Sequence, residues 1–265
     1  MSGPLGASQF MYSSGAANFY EHQIEQSVRF EESGGDKLTR TPSSGGNRRT
    51  FAISFWLKRT VITDSGNHMV IFGADDGGGS NYFHLRIDND DKFRIESSGS
   101  FRRITTQRFR DTTGWSHFYV GINTAASPTV LIYHNGIQIT DFDTNAGPSG
   151  SFETQVNHTV EHQIGVLNYG SASTDFAGYL AEFHLIDGNQ QAHTDFGEFK
   201  NGVWIPKNAS GLTFGTNGIL LKFENASDFG NDSSGNNNDY SATNLGADHQ
   251  SIDTPHHRNR IIIWE

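Results

Sequence analysis

The dipeptide Asn135-Gly136 separates two runs of β-favouring residues, and it constrains the fold more than any other feature of the chain. A two-residue turn of type I′ needs positive φ at both central positions, which asparagine and glycine tolerate better than other residues. Residues 130–134 precede the turn and residues 137–139 follow it, and both runs are rich in isoleucine and other β-formers. The sequence therefore predicts an antiparallel β-hairpin here.

Strict alternation of apolar residues extends the same interpretation to the rest of the chain. In residues 51–58, one set of alternate positions is wholly apolar: Phe51, Ile53, Phe55 and Leu57. A period of two is the pattern of a strand that buries one face. Similar short segments recur as far as residue 223, with turn signals between them, and residues 194–199 alone suggest a helical turn. This organisation predicts an all-β fold, a two-sheet antiparallel β-sandwich.

Composition agrees with strands and turns, and it excludes several function classes. The chain of 265 residues contains 30 glycines, and 18% of its residues are charged. A net charge of −10 opposes binding to phosphate backbones, so we expect no nucleic-acid partner. The absence of cysteine excludes disulfides and thiolate metal sites. No run approaches the roughly 18 apolar residues of a membrane span, so we expect no membrane insertion. No signal peptide is evident, so we expect the protein to be synthesised in a cytoplasm.

Three regions follow from the pattern: an arm over residues 1–26, the sandwich over residues 27–245, and a tail over residues 246–265. The arm consists of small residues interrupted by aromatic ones, namely Phe10, Tyr12, Phe19 and Tyr20. A disordered terminus and a docking element are both consistent with that composition.

The tail ends in an apolar, β-favouring run that includes Ile261, Ile263 and Trp264. Such a run invites aggregation unless it pairs with something. We expect it to add a strand to its own domain or to a neighbouring subunit. Together with the aromatic arm, it predicts that the protein forms homo-oligomers.

Six short motifs occur in an order that resembles one family. They are Ser27-Val-Arg-Phe30, Phe51-Ala-Ile-Ser-Phe-Trp56, Gly114-Trp115-Ser116-His117, Leu131-Ile-Tyr133-His-Asn135-Gly136, Ile164-Gly165 and Gly178-Tyr-Leu-Ala-Glu182. In this order they resemble laminin G-like domains, which have the concanavalin A-like jelly-roll fold. The resemblance implies a binding or structural module on a two-sheet sandwich.

A longer string, which adds Asp195-Phe196-Gly197-Glu198 and the segment around Trp204, resembles laminin G-like proteins of tailed bacteriophages. That resemblance implies a virion structural protein, such as a tail fibre, an appendage or a capsid decoration subunit. Its partners would then be other virion proteins and a glycan of the host surface. Two alternatives remain open: a soluble, calcium-dependent lectin or carbohydrate-binding module, and a divergent glycanase.

Glycoside hydrolysis on such a fold needs two carboxyl groups that face one cleft. The nearest candidate segment contains Glu182, His184 and Asp187. Glu182 and His184 would share a strand face, but Asp187 would point to the other side and no second glutamate follows at a suitable spacing. We therefore expect no enzymatic activity.

Two sets of residues are candidates for binding. Oxygen ligands for calcium could come from one loop, with Asp228, Asn231, Asp232, Asn236 and Asp239. The same residue types also make local hydrogen bonds in tight turns. We expect no required cofactor, with calcium as the candidate ion. Aromatic rings that could stack on a sugar occur in loop-like sequence at Tyr169, Trp204 and Tyr240, where core packing is the alternative role.

Overall fold

β-Strands make up nearly all regular structure in the computed structural model, which describes residues 19–32, 34–62, 68–99, 101–148, 150–167 and 175–255. The strands of the first half are β1 (Ser27–Phe30), β2 (Lys37–Arg40), β3 (Thr50–Arg59), β4 (Met69–Asp75), β5 (Tyr82–Ile87), β6 (Lys92–Ser97), β7 (Phe101–Arg108), β8 (Ser116–Asn123) and β9 (Val130–His134). Those of the second half are β10 (Ile137–Gln138), β11 (Phe142–Ala146), β12 (Glu161–Ile164), β13 (Gly178–Asp187), β14 (Gly197–Lys200), β15 (Val203–Pro206), β16 (Ile219–Leu221), β17 (Ser241–Thr243) and β18 (Gln250–Ser251).

Two antiparallel sheets form a sandwich, which confirms the predicted fold class. The front sheet has the order β10-β9-β8-β3-β13-β1-β18, and β16 pairs with β13 beside β1. The back sheet has the order β11-β7-β6-β5-β4-β12-β2-β17, and β14 pairs with β15 as a separate hairpin. In the part of the chain that the structure describes, no helix is long and apolar enough to cross a membrane.

The predicted hairpin is present, while one predicted helical turn is misplaced. Asn135 and Gly136 have φ values of 48° and 74°, as a type I′ turn requires. Residues 194–199 do not form one helical turn: a 3-10 turn covers His193–Asp195, and β14 begins two residues later. A second 3-10 turn covers Ala247–His249. The expected helix fails because β14 pairs along its whole length with β15.

The sandwich closes late in the chain and extends past the predicted boundary at residue 245. β16 joins the front sheet, β17 then joins the back sheet through β2, and β18 returns to pair with β1. Residues 250 and 251 therefore belong to the front sheet, although the sequence analysis assigned them to the tail. At the other end, Ile24 is 2% exposed and belongs to the packed body rather than to a free arm.

Phenylalanine side chains from both sheets fill the space between them. Phe55 lies parallel to Phe118 and Phe183 within the front sheet, with ring centroids 5.8 Å and 5.7 Å apart. Phe93 of the back sheet stacks on Phe118 at 4.9 Å. Buried rings of this size contribute most of the apolar area of a core, so the many phenylalanines compensate for a modest apolar content.

β3 is buried on both faces, whereas its period of two predicts one solvent-facing side. Its inward residues face the back sheet, while Ala52 and Trp56 are also covered. The cover comes from the segment after β13, which places Phe196, Phe214 and Trp204 over the outer face of the front sheet. The candidate site lies in this added layer.

Candidate functional site

A second asparagine-glycine hairpin, which the sequence analysis missed, forms part of the layer over the front sheet. Asn201 and Gly202 connect β14 to β15, with φ values of 51° and 81°. This is the same turn chemistry as at residues 135 and 136, so the signal was present in the sequence. It went unrecognised because the preceding residues suggested a helical turn.

The indole of Trp204 joins the two hairpins. A Cβ atom on Gly136 would overlap one edge of this ring, and a Cβ atom on Gly197 would overlap another. The ring of Phe199 meets the indole edge-on at 5.0 Å between centroids, and His193 stacks on it at 5.8 Å. Trp204 is 8% exposed, so it forms the wall of a site rather than a free platform.

A cleft of about 890 Å³ opens between these hairpins and the outer face of the front sheet. Its lining combines β3, the segment before β8, both asparagine-glycine turns, Tyr20 and residues 252–255. Three of the chain's four tryptophans line it: Trp56, Trp115 and Trp204. An aromatic lining with a few polar groups is typical of sites for small organic ligands.

The polar groups of the cleft converge on Asp253. Its carboxylate accepts a hydrogen bond from Trp115 Nε1 at 2.9 Å and pairs with Lys58 Nζ at 2.7 Å. The backbone oxygen of Asp253 accepts a further bond from the Ser27 hydroxyl at 2.6 Å. Because Lys58 and Asp253 neutralise each other, the cleft carries no surplus charge from the described residues, in a chain of net charge −10.

The predicted sugar-stacking residues separate into three outcomes. Trp204 lines the cleft, as described above. Tyr240 is 3% exposed within the main core, and burial raises the pKa of its hydroxyl. Its ring offers no face to a ligand, so the sugar-stacking role is corrected to the alternative role, core packing. Tyr169 lies outside the described residues.

Of the residues predicted to support assembly, Phe19 and Tyr20 are described. Their rings meet edge-on at 4.9 Å, and Tyr20 lines the cleft. The others lie outside the described residues: Phe10, Tyr12, Ile261, Ile263 and Trp264. Their predicted role in self-association stays a prediction.

Hydrogen bonds occupy the predicted calcium loop. Asp232 accepts bonds from the backbone amides of Leu220, Ser234 and Asn238 and from the Ser234 hydroxyl, which uses all four acceptor positions of its carboxylate. Asp239 accepts a bond from the Asp232 amide at 2.8 Å.

The other predicted ligands of this loop are a hydrogen-bonded asparagine and two exposed residues. The Asn236 side chain donates to the carbonyl oxygens of Gly215 and Gly218, and Asp228 and Asn231 lie exposed on its surface. Among the described residues, no group of three or more histidine, aspartate or glutamate side chains is arranged to hold a metal ion. Calcium binding stays a prediction, while the structure gives Asp232 a structural role.

Glu182 lies on the outer face of the front sheet but does not line the cleft, so it forms no pair of carboxyl groups with Asp253 there. Its carboxylate contacts His22 Nε2 at 2.6 Å and is 7% exposed. His184 lies on the same face against Phe196, and Asp187 accepts backbone bonds from residues 47 and 217. Asp253 is the one acidic side chain among the described residues that line the cleft.

Comparison with known proteins places the chain in a family. The family described as the concanavalin A-like lectin/glucanases superfamily, of the Laminin_G_3 type, matches residues 32–193. No curated protein matches the chain. A putative carbohydrate binding protein from Bacteroides ovatus has a similar structure, with a TM-score of 0.55 and 14% identity. The match covers 84% of this chain and 58% of that one, so the chain spans little more than half of that protein.

Two further solved structures are similar at lower TM-scores. The SAP-like pentraxin of Limulus polyphemus is 12% identical, with a TM-score of 0.48 and coverage of 64% of this chain and 80% of that one. The CBM40 of the Ruminococcus gnavus IT-sialidase is 13% identical, with a TM-score of 0.45 and coverage of 65% of this chain and 96% of that one. At these identities the similarity concerns the fold alone. On the family match, which covers more than half of its length, the chain belongs to the concanavalin A-like lectin/glucanase superfamily.

Proposed function

We propose that this protein is a non-enzymatic glycan-binding module and that the tryptophan-lined cleft is its binding site. The cleft carries the proposal. Pyranose rings present C–H groups on their faces and hydroxyls at their edges, and an indole with neighbouring polar groups matches both. Trp115 is half-buried and Phe199 is 53% exposed, so both rings are available to a ligand. The description of the Bacteroides ovatus protein as a putative carbohydrate binding protein agrees with this role.

The charge of the cleft favours a neutral glycan. Lys58 is the one cationic side chain among the described residues of its lining, and it is already paired with Asp253. An acidic sugar would therefore have to displace Asp253 before it gained a counter-charge. We expect neutral oligosaccharides to bind more tightly than sialylated or uronic ones.

A glycan array of neutral and acidic oligosaccharides tests the proposal, with Trp115→Ala and Phe199→Ala as the site variants. Loss of one stacked ring should weaken binding about tenfold, or ~1.4 kcal/mol. Ile62→Ala is the matched control, because Ile62 is 52% exposed and does not line the cleft. If the unmodified protein retains no glycan, or if all three variants bind equally, the proposal is wrong. Arrays with calcium and with EDTA check the predicted calcium dependence.

The absence of activity is part of the same proposal. Glycosidases of the usual kind need two carboxyl groups about the scissile bond. In the described lining the cleft offers Asp253, which is engaged by Lys58 and Trp115. We expect no turnover of β-glucans. If turnover is found, Glu182→Gln decides whether that residue takes part.

A structural role in a bacteriophage particle is the second proposal. It is supported by the sequence resemblance and by the apolar rim of the cleft, where four exposed side chains favour contact with protein. The protein would then be a tail fibre, appendage or capsid decoration subunit, present in the virion with other virion proteins. Mass spectrometry and negative-stain imaging of purified particles test this role, and absence of the protein from those particles would contradict it.

A further inference from the structure

Exposed apolar side chains gather at the cleft. The large hydrophobic residues with more than half of their surface exposed are Ile62, Ile137, Phe199, Val203 and Ile252, among the described residues. All but Ile62 line the cleft. Single exposed apolar residues are ordinary, but a cluster around one concave surface marks a place where another apolar group docks.

The described chain reaches this cleft at its C-terminal end. After β18, residues 252–255 all line it. The Ser27 hydroxyl holds the backbone of Asp253, and Thr254 is 7% exposed, so the path of the chain is fixed up to this point. The described part of the chain therefore ends at the cleft, with Pro255.

We propose that the cleft is the docking surface for residues 261–264 of the same chain, whose sequence is Ile-Ile-Ile-Trp. Five residues lie between Pro255 and Ile261. The six Cα–Cα steps of this extended connection span about 20 Å. A cleft of about 890 Å³ is on the order of 10 Å across, so the connection is long enough. A tether this short gives an effective concentration in the millimolar range, which favours the chain's own tail over a second copy.

The tail complements the body in charge as well as in polarity. Arg258 and Arg260 precede the apolar run and Glu265 follows it, so residues 256–265 carry a net charge of +1 in a chain of net charge −10. Opposite charge steers the segment towards the body, and the apolar rim then supplies the contact area. A docked tail would cover Trp115 and Phe199 and would therefore compete with a glycan. This consequence rests on the proposed function.

Disulfide trapping tests the docking, because the chain has no native cysteine. The full-length double variant Val203→Cys/Ile263→Cys should form an intramolecular disulfide under mild oxidation. Its rate should exceed that of Ile62→Cys/Ile263→Cys at least fivefold, since Ile62 is as exposed as Val203 but does not line the cleft. Ile137→Cys/Ile263→Cys repeats the measurement from the opposite hairpin, so that one misfolded variant does not decide the result. Equal rates at cleft and control positions, or mainly intermolecular dimers, would overturn docking within one chain.

The array measurement separates this inference from the proposed function. Full-length Ile261→Asp/Ile263→Asp should give at least threefold stronger glycan retention than the unmodified protein. Unchanged retention would show that the tail does not compete at the cleft. If the disulfide forms but neither protein binds any glycan, the proposed function fails and the docking stands. If glycan binds but the disulfide does not form preferentially, the docking fails and the function stands.

Discussion

Single residues decide which side chains reach the outer face of the front sheet, and Glu182 is the clearest case. With strict alternation, Glu182 would face the core together with Leu180. A β-bulge at Glu182 and Phe183 places two residues opposite one in β3, and Glu182 takes a φ of 43°. Leu180 and Phe183 therefore both face inward, while the Glu182 carboxylate turns out to meet His22.

Gly136 should be the most sensitive glycine of the site. Its positive φ disfavours any L-residue by about 1–2 kcal/mol, and a Cβ atom would also overlap the Trp204 ring. Gly136→Ala should lower the free energy of unfolding by about 2–4 kcal/mol, measured by urea denaturation. Gly202→Ala is the matched control, because it shares a positive φ but nothing lies near its Cβ position. A loss as small as that of the control would contradict the contact with Trp204.

At the scale of elements, the closing strand depends on a loop that holds it in place. β16 is three residues long and pairs with one half of β13. Asp232 bonds to the Leu220 amide within β16, and Leu221 forms a bridge with Asp232. The asparagine-rich loop therefore stabilises β16 by adding hydrogen bonds to a strand that is too short to be stable alone.

Replacement of Asp232 tests this role. Asp232→Asn replaces one carboxylate oxygen, with its two acceptor positions, by an amide NH2 group that faces hydrogen-bond donors. It should lower the free energy of unfolding by about 2–3 kcal/mol in urea denaturation. Asp228 lies exposed in the same loop. Asp228→Asn should therefore change the free energy of unfolding by less than about 0.5 kcal/mol. Equal effects of the two substitutions would show that the hydrogen bonds of Asp232 make no specific contribution to stability.

At the scale of the whole molecule, several histidines are buried in the uncharged form. Burial lowers the pKa of His162 and of His134 to about 4 and that of His84 to about 3. His162 also accepts a bond from the Asn157 amide at Nε2, while its other ring nitrogen contacts the Val160 carbonyl oxygen. Protonation would remove the acceptor for Asn157, so the geometry agrees with the depressed pKa.

Stability should therefore fall in mildly acidic solution. Between about pH 6.5 and pH 4 the unfolded chain binds protons that the folded protein excludes, so the free energy of unfolding decreases as the pH falls through that window. For His162 alone, a pKa of about 4 against 6.5 corresponds to ~3 kcal/mol at most. The thermal unfolding temperature should therefore fall between pH 7 and pH 4.5. For His162→Gln it should fall less over the same range. An unfolding temperature independent of pH in this range would contradict the prediction.

The sequence by itself determined the strands, the first hairpin and the class of fold. Alternation in residues 51–58 and positive φ at Asn135 and Gly136 are local properties of the backbone, so they persist whatever the chain packs against. The second hairpin at residues 201–202 carried the same signal and was open to the same prediction.

Only the tertiary structure decided the site. Trp56, Trp115, Trp204 and Asp253 are far apart along the chain and meet once the layer after β13 covers the front sheet. The same layer buries the second face of β3, which alternation alone assigned to solvent. Local pattern reports how a segment can bury one face, whereas the partner of the other face depends on contacts between distant segments. That dependence is why the cleft, and Trp204 as its wall, emerged from the packing of the whole chain.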